Sequence, residues 1–80
     1  MTARARIILL VATALETSVD ELNPDSSPDT VDTWDSSRHL NLIVALEDAF
    51  GIEISDEQVF SMLTLEAVLA TVLGLAGEKE

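Results

Sequence analysis

The chain has no cysteine and no tyrosine, only three glycines and two prolines, and four basic residues in a length of 80. Without cysteine it can build neither a disulfide framework nor a thiolate metal site, which fits a reducing compartment. Four bases against fifteen acids leave a formal charge of −11 and an isoelectric point near 4.1. Nucleic acid is excluded as a partner, because phosphate contacts need basic patches. A field this negative favours partners with basic docking surfaces and speeds their encounter, while self-repulsion works against the compact state. The only histidine is His39, and no Gly-x-Ser-x-Gly elbow is present, so nucleophilic catalysis by a Ser36–His39 pair has no support and no catalytic residue is assigned. Asp25, Asp29, Asp32 and Asp35 step by four and three, unlike the ligands of an EF-hand loop, so the expected dedicated metal site is none.

Hydrophobic residues nevertheless make up 48% of the chain, enough for one modest core. A domain of this length buries roughly 60% of its unfolded surface, and residues 1–80 read as a single domain. Its longest apolar stretch, Ile7 to Ala12, is far shorter than the roughly 20 residues that span a membrane. Arg4 and Arg6 before that stretch, with Ala-x-Ala at 12–14, imitate a secretory signal. Cleavage there would strip a helix from a domain that can hardly spare one. The stretch is therefore read as a core helix, and the expected compartment is the cytoplasm.

The pattern predicts an all-α fold: a small bundle of three longer helices and one short helix, with a long loop between helices 1 and 2. The first helix is expected from about Ala3 to Val19, apolar nearly all round in its middle. Asn23-Pro24-Asp25-Ser26-Ser27-Pro28-Asp29-Thr30 is loop, with Val31 and Trp34 pinning its end to the helices. The second helix runs from about Ser36 to Ala49, burying Leu42, Ile43, Leu46 and Phe50, and Gly51 stops it. Ser55-Asp56-Glu57-Gln58 is a capping box opening a short third helix to about Phe60 or Ser61. Thr64 caps a last helix from about Leu65 to Leu73, with Leu65, Val68, Leu69 and Val72 inward; Gly74 and Gly77 punctuate a charged tail.

Ser36 stands where the acidic loop gives way to the second helix. A hydroxyl at an exposed helix start lies where backbone N–H groups and the helix dipole favour an anion. Read alone, Ser36 or Asp35 serves equally well as a simple cap. On the same helix Leu40 and Val44 fall away from the buried stripe as apolar docking contacts, with Glu47 and Asp48 as charge partners.

These residues resemble the acyl carrier proteins. The resemblance rests on Asp35-Ser36, Leu40, Leu42, Ala45-Leu46-Glu47, Phe50-Gly51-Ile52-Glu53-Ile54 and Asp56-Glu57. It implies that a phosphopantetheinyl transferase moves 4′-phosphopantetheine from coenzyme A onto Ser36. The arm would supply the thiol that a cysteine-free chain lacks, holding acyl groups as thioesters. It further implies a monomeric, non-catalytic carrier in fatty acid or polyketide biosynthesis. Its partners would be an acyl-loading ligase or acyltransferase and a ketosynthase or other thioester-using enzymes, docking around Asp35, Ser37, Arg38, Leu40, Val44, Glu47 and Asp48. An acyl chain folded back into the bundle would meet Leu46, Phe50, Leu65 and Leu69.

The chain departs from the family pattern at Thr33, where Gly is frequent, at Ser37, where Leu is common, and at Arg38 and Asn41, where acids are common. Trp-Asp-Ser with a His three residues after the Ser looks like free-standing carriers of specialised pathways. A peptidyl or aminoacyl carrier and an unmodified acidic helical adaptor remain the alternatives, with a secreted acidic helical protein third.

Overall fold

In the computed structural model, which describes residues 2–77, four α-helices follow in order: α1 (Ala3–Ala14), α2 (Ser36–Phe50), α3 (Asp56–Ser61) and α4 (Leu65–Ala76). A 3-10 turn at Val19–Glu21 opens the long loop. The described residues contain no strand, so the expected small helical bundle with one short helix is what forms. α1 packs against both α2 and α4. Ile7, Val11 and Leu15 from α1 and its cap meet Leu42 and Leu46 of α2 and Val68 and Val72 of α4, each shielded completely from solvent. Burying each such side chain is worth about 1.5–3 kcal/mol against leaving it exposed. Trp34 is buried and Val31 packs against the same core, as expected of loop pins. No helix among the described residues is long and apolar enough to cross a membrane.

Two helix ends differ from expectation. α1 stops at Ala14, not near Val19, and it does so without glycine or proline. Glu16 adopts a left-handed backbone (φ 56°), and its N–H and that of Thr17 return to the carbonyls of Thr13 and Ala12 at 3.2 and 2.9 Å. This is a Schellman closure with Glu in the place glycine usually takes, at a backbone cost of about 1 kcal/mol. The Glu16 carboxylate meets the Arg38 guanidinium at 2.9 Å, a contact between distant parts of the chain that the local sequence pattern does not encode. α4 runs through Gly74 to Ala76 and ends at Gly77 (φ 67°), three residues beyond the expected Leu73. One interior glycine costs about 1 kcal/mol, too little to stop a helix anchored by Val68, Leu69 and Val72. The charged tail beyond Gly77 lies outside the described residues.

The other boundaries follow local chemistry. The α3 capping box forms as expected, Ser55 Oγ accepting the Gln58 N–H and Gln58 Oε1 accepting the Ser55 N–H. Gly51 ends α2 at φ 63°. A Cβ there would meet nothing within 4 Å, so Gly51→Ala is opposed only by backbone strain, about 1 kcal/mol. The expected result in thermal denaturation is a midpoint lower by roughly 4–8 °C with an unchanged helical spectrum. Arg6 stacks over the Phe50 ring at 4.7 Å and donates to the Ala49 carbonyl at 3.4 Å, tying the start of α1 to the end of α2. Phe50 is accordingly half-buried at the rim of the core.

Candidate functional site

The start of α2 is capped by Asp35, not by Ser36. Asp35 Oδ1 accepts the Arg38 N–H at 2.8 Å, and Arg38 Nη1 returns to Asp35 Oδ2 at 2.7 Å. Ser36 is the first helical residue, exposed, and its hydroxyl makes no hydrogen bond among the described residues. The cap is thus satisfied without it.

Three helix starts can be compared as anion sites. At α4, Leu65 and Glu66 donate to the loop carbonyls of Ser26 and Pro24 at 3.0 and 3.1 Å, and Ala67 donates to Thr64 Oγ1. That end is closed by the loop. At α3 the first turn carries Asp56 and Glu57, which oppose a further negative charge. α2 has no acid in its first turn, and the N–H groups of Ser36 and Ser37 lack intrahelical acceptors, as at any helix start. It is the one of the three suited to a phosphate.

Arg38 bridges Asp35 and Glu16, both on exposed carboxylates. The Arg38 backbone N–H is the main influence holding the Asp35 carboxyl below its ordinary 3.8; partial desolvation opposes it, and the guanidinium adds to the lowering. Glu16, by hydrogen bond and charge, raises Arg38 in turn. A depressed carboxyl stabilises the fold at pH above the unfolded value near 3.8, and that contribution is lost as pH falls through the lower folded value. Asp35→Ala removes the cap, so its midpoint is expected roughly 4–8 °C below the parent at neutral pH. The gap should narrow as pH falls below about 3.8 and close once the parent carboxyl, held lower in the fold, is protonated as well. Melting curves at both pH values check it.

Trp34 and His39 flank this turn. They occupy the positions before the cap and at the fourth helical residue, where a hydrophobic staple forms, and their rings lie 6.1 Å apart. Trp34 Nε1–H donates to His39 Nδ1 at 3.0 Å. An indole N–H only donates, so Nδ1 accepts and the ring proton sits on Nε2, which donates to the Val59 carbonyl of α3 at 2.8 Å. Both nitrogens are therefore engaged away from Ser36. Sequence reasoning, which only set aside a catalytic Ser36–His39 pair, missed this connection. The five-residue step from Trp34 to His39 was its one legible signal.

An open, largely apolar groove of about 490 Å3 is lined by Ser36 with Asp35, Pro28, Trp34, His39 and Leu40, and by Val59, Phe60 and Leu63 of the α3 region. Phe60 is 76% exposed, and Leu40, Val44 and Leu63 are about half exposed (58%, 56% and 49%). Sequence reasoning missed the groove, because a six-residue helix is too short for its period to tell Val59, inward, from Phe60, outward. Of the residues named for an internal acyl pocket, Leu46, Leu65 and Leu69 are packed into the core and Phe50 against it, and none lines this groove.

Ser37, Leu40, Val44 and Asp48 recur at three- and four-residue steps and are all exposed, giving α2 one continuous outer stripe beginning next to Ser36. Glu47 is half-buried and accepts the Ile54 N–H at 2.9 Å, so it holds the turn after α2 in addition to any outward role. Among the described residues no group of three His, Cys, Asp or Glu is placed to hold a metal ion.

A family model described as the phosphopantetheine attachment site matches residues 5–72. An acyl carrier protein of Streptomyces coelicolor (strain ATCC BAA-471 / A3(2) / M145) is 37% identical over 62 residues, covering 78% of this chain and 67% of that protein.

Proposed function

The chain belongs to the acyl carrier protein family, whose phosphopantetheine attachment domain it contains, and from that premise we propose that Ser36 receives the arm and that the chain delivers acyl thioesters to biosynthetic enzymes. The observation that carries this reading is the Ser36 hydroxyl: exposed, released from capping by Asp35, and set on a helix start with no acid in its first turn. In the transfer, Ser36 Oγ attacks the pyrophosphate of coenzyme A at the phosphorus bearing pantetheine. The adenosine bisphosphate leaves, and the hydroxyl proton passes to a base of the transferase. The new phosphodiester gains from the free N–H groups of the first turn and the positive end of α2.

Acyl cargo is favoured over aminoacyl or peptidyl cargo by the groove. Its lining is largely carbon, and the ring nitrogens of Trp34 and His39 within it are already paired with one another and with Val59. Apart from Asp35 and Ser36 a polar cargo would find few partners there, whereas an apolar chain would cover Phe60, Leu40 and Leu63. The stripe of Ser37, Leu40, Val44 and Asp48, with Asp35, Arg38 and Glu47 at its sides, is the proposed docking face. It would serve the transferase, the loading ligase or acyltransferase, and a ketosynthase or other thioester-using enzyme. Single domain, monomeric state and cytoplasmic location belong to the same proposal.

The test is an intact mass after incubation with coenzyme A and a broad-specificity phosphopantetheinyl transferase. A carrier gains one phosphopantetheine. No gain with several transferases would favour the unmodified adaptor.

A further inference from the structure

We propose that His39 is a positioning residue that welds α3 to the Ser36 end of α2 and so sets the width of the groove between them. α3 has six residues, and a helix that short has no stability of its own in water. α1 packs broadly on α2 and α4, whereas α3 makes no comparably extensive contact with another helix. Its anchors are the buried side chains of Val59 and Met62 and the bond from His39. That bond goes where α3 needs it. The helix ends at Ser61, and Met62 leaves helical geometry (ψ 60°), so the Val59 carbonyl belongs to a last turn without intrahelical donors. His39 Nε2–H serves as its cap.

On its other side the same ring receives the Trp34 indole N–H, one residue before the cap of α2. His39 is 8% exposed and Trp34 3%, so neither polar group can turn to water without opening the site. One imidazole therefore ends α3 and staples the start of α2. Val59 and Phe60, which line the groove from α3, and Trp34, which lines it from the start of α2, are held at a fixed separation through it. The functional weight of this weld, shaping the space beside the arm, rests on Ser36 being the attachment point; the weld itself does not.

The test compares amide hydrogen exchange in the full chain and in two variants. His39→Leu keeps an apolar contact with Trp34 but removes both hydrogen bonds. It should speed exchange of the Val59 and Met62 amides about tenfold or more while amides within α1 and α4 keep the parent rates. His39→Gln, which can still donate and accept, should recover most of that protection. An equal rise in every helix, or no rise in α3, overturns the proposal. Should His39→Leu not fold, the imidazole 15N spectrum of the unaltered chain at pH 8 decides. An Nε2–H tautomer with an accepting Nδ1 is expected, and an Nδ1–H tautomer overturns the weld. Intact mass after transferase treatment is read on the same samples. A chain that gains the arm but shows no α3 effect refutes only the weld, and the converse refutes only the carrier reading.

Discussion

Ser36→Ala should fold as the parent does and gain no phosphopantetheine under conditions that convert the parent completely. The two halves of this result come from different facts. Folding survives because Asp35 makes the capping bond and the Ser36 hydroxyl makes none, so only an exposed surface atom is lost. Such changes fall within about 0.5 kcal/mol, or a midpoint shift of roughly 2–4 °C for a domain of this size. Modification disappears because the phosphodiester needs that oxygen, and no rearrangement of the helix start supplies another at the same place. Ser37→Ala is the control. Ser37 is equally exposed and one residue along, and its variant should still gain the full arm, with at most a slower rate from the lost docking contact. If Ser36→Ala still gained the arm and Ser37→Ala did not, the assignment would move by one residue. If Ser36→Ala unfolded, the account of the Asp35 cap would be wrong.

The largest expected effect on stability is at Leu46. Its side chain is shielded completely in the middle of α2, the helix that presents Ser36. Truncation to Ala removes several buried carbons and leaves a cavity that a close-packed bundle fills only in part, a loss of about 3 kcal/mol. A chain of 80 residues has only about 4–12 kcal/mol to lose. The melting midpoint should fall by roughly 12–24 °C, followed by circular dichroism. Val44, two residues earlier on the same helix but 56% exposed, should lose only a few degrees on the same truncation. Equal losses at the two positions would contradict the burial of the Leu46 face.

Much of this arrangement was legible in the sequence, and the legible parts are those fixed by local chemistry. The apolar steps of α2 and α4, the Ser55–Gln58 capping box and the stop at Gly51 each rest on residues within a turn of one another. What escaped depends on distant partners. The end of α1 is set by a left-handed Glu16 whose side chain pairs with Arg38, 22 residues away. The weld joins His39 to a carbonyl 20 residues on. The groove exists only once α3 is laid beside α2. At Ser36 the local residues alone left capping and attachment competing for one side chain, and the resemblance to the acyl carrier proteins favoured attachment. The structure gives the cap to Asp35, and the family match across residues 5–72 gives the chain its attachment domain.

The central claim is that the arm sits on Ser36, and the most direct measurement is a fragment mass spectrum of the modified chain, cut to isolate the α2 peptide. The account predicts that the whole added mass lies on Ser36, between unmodified Asp35 and unmodified Ser37. Added mass on Ser37, on Ser26 or Ser27 of the loop, or on no residue at all would contradict it.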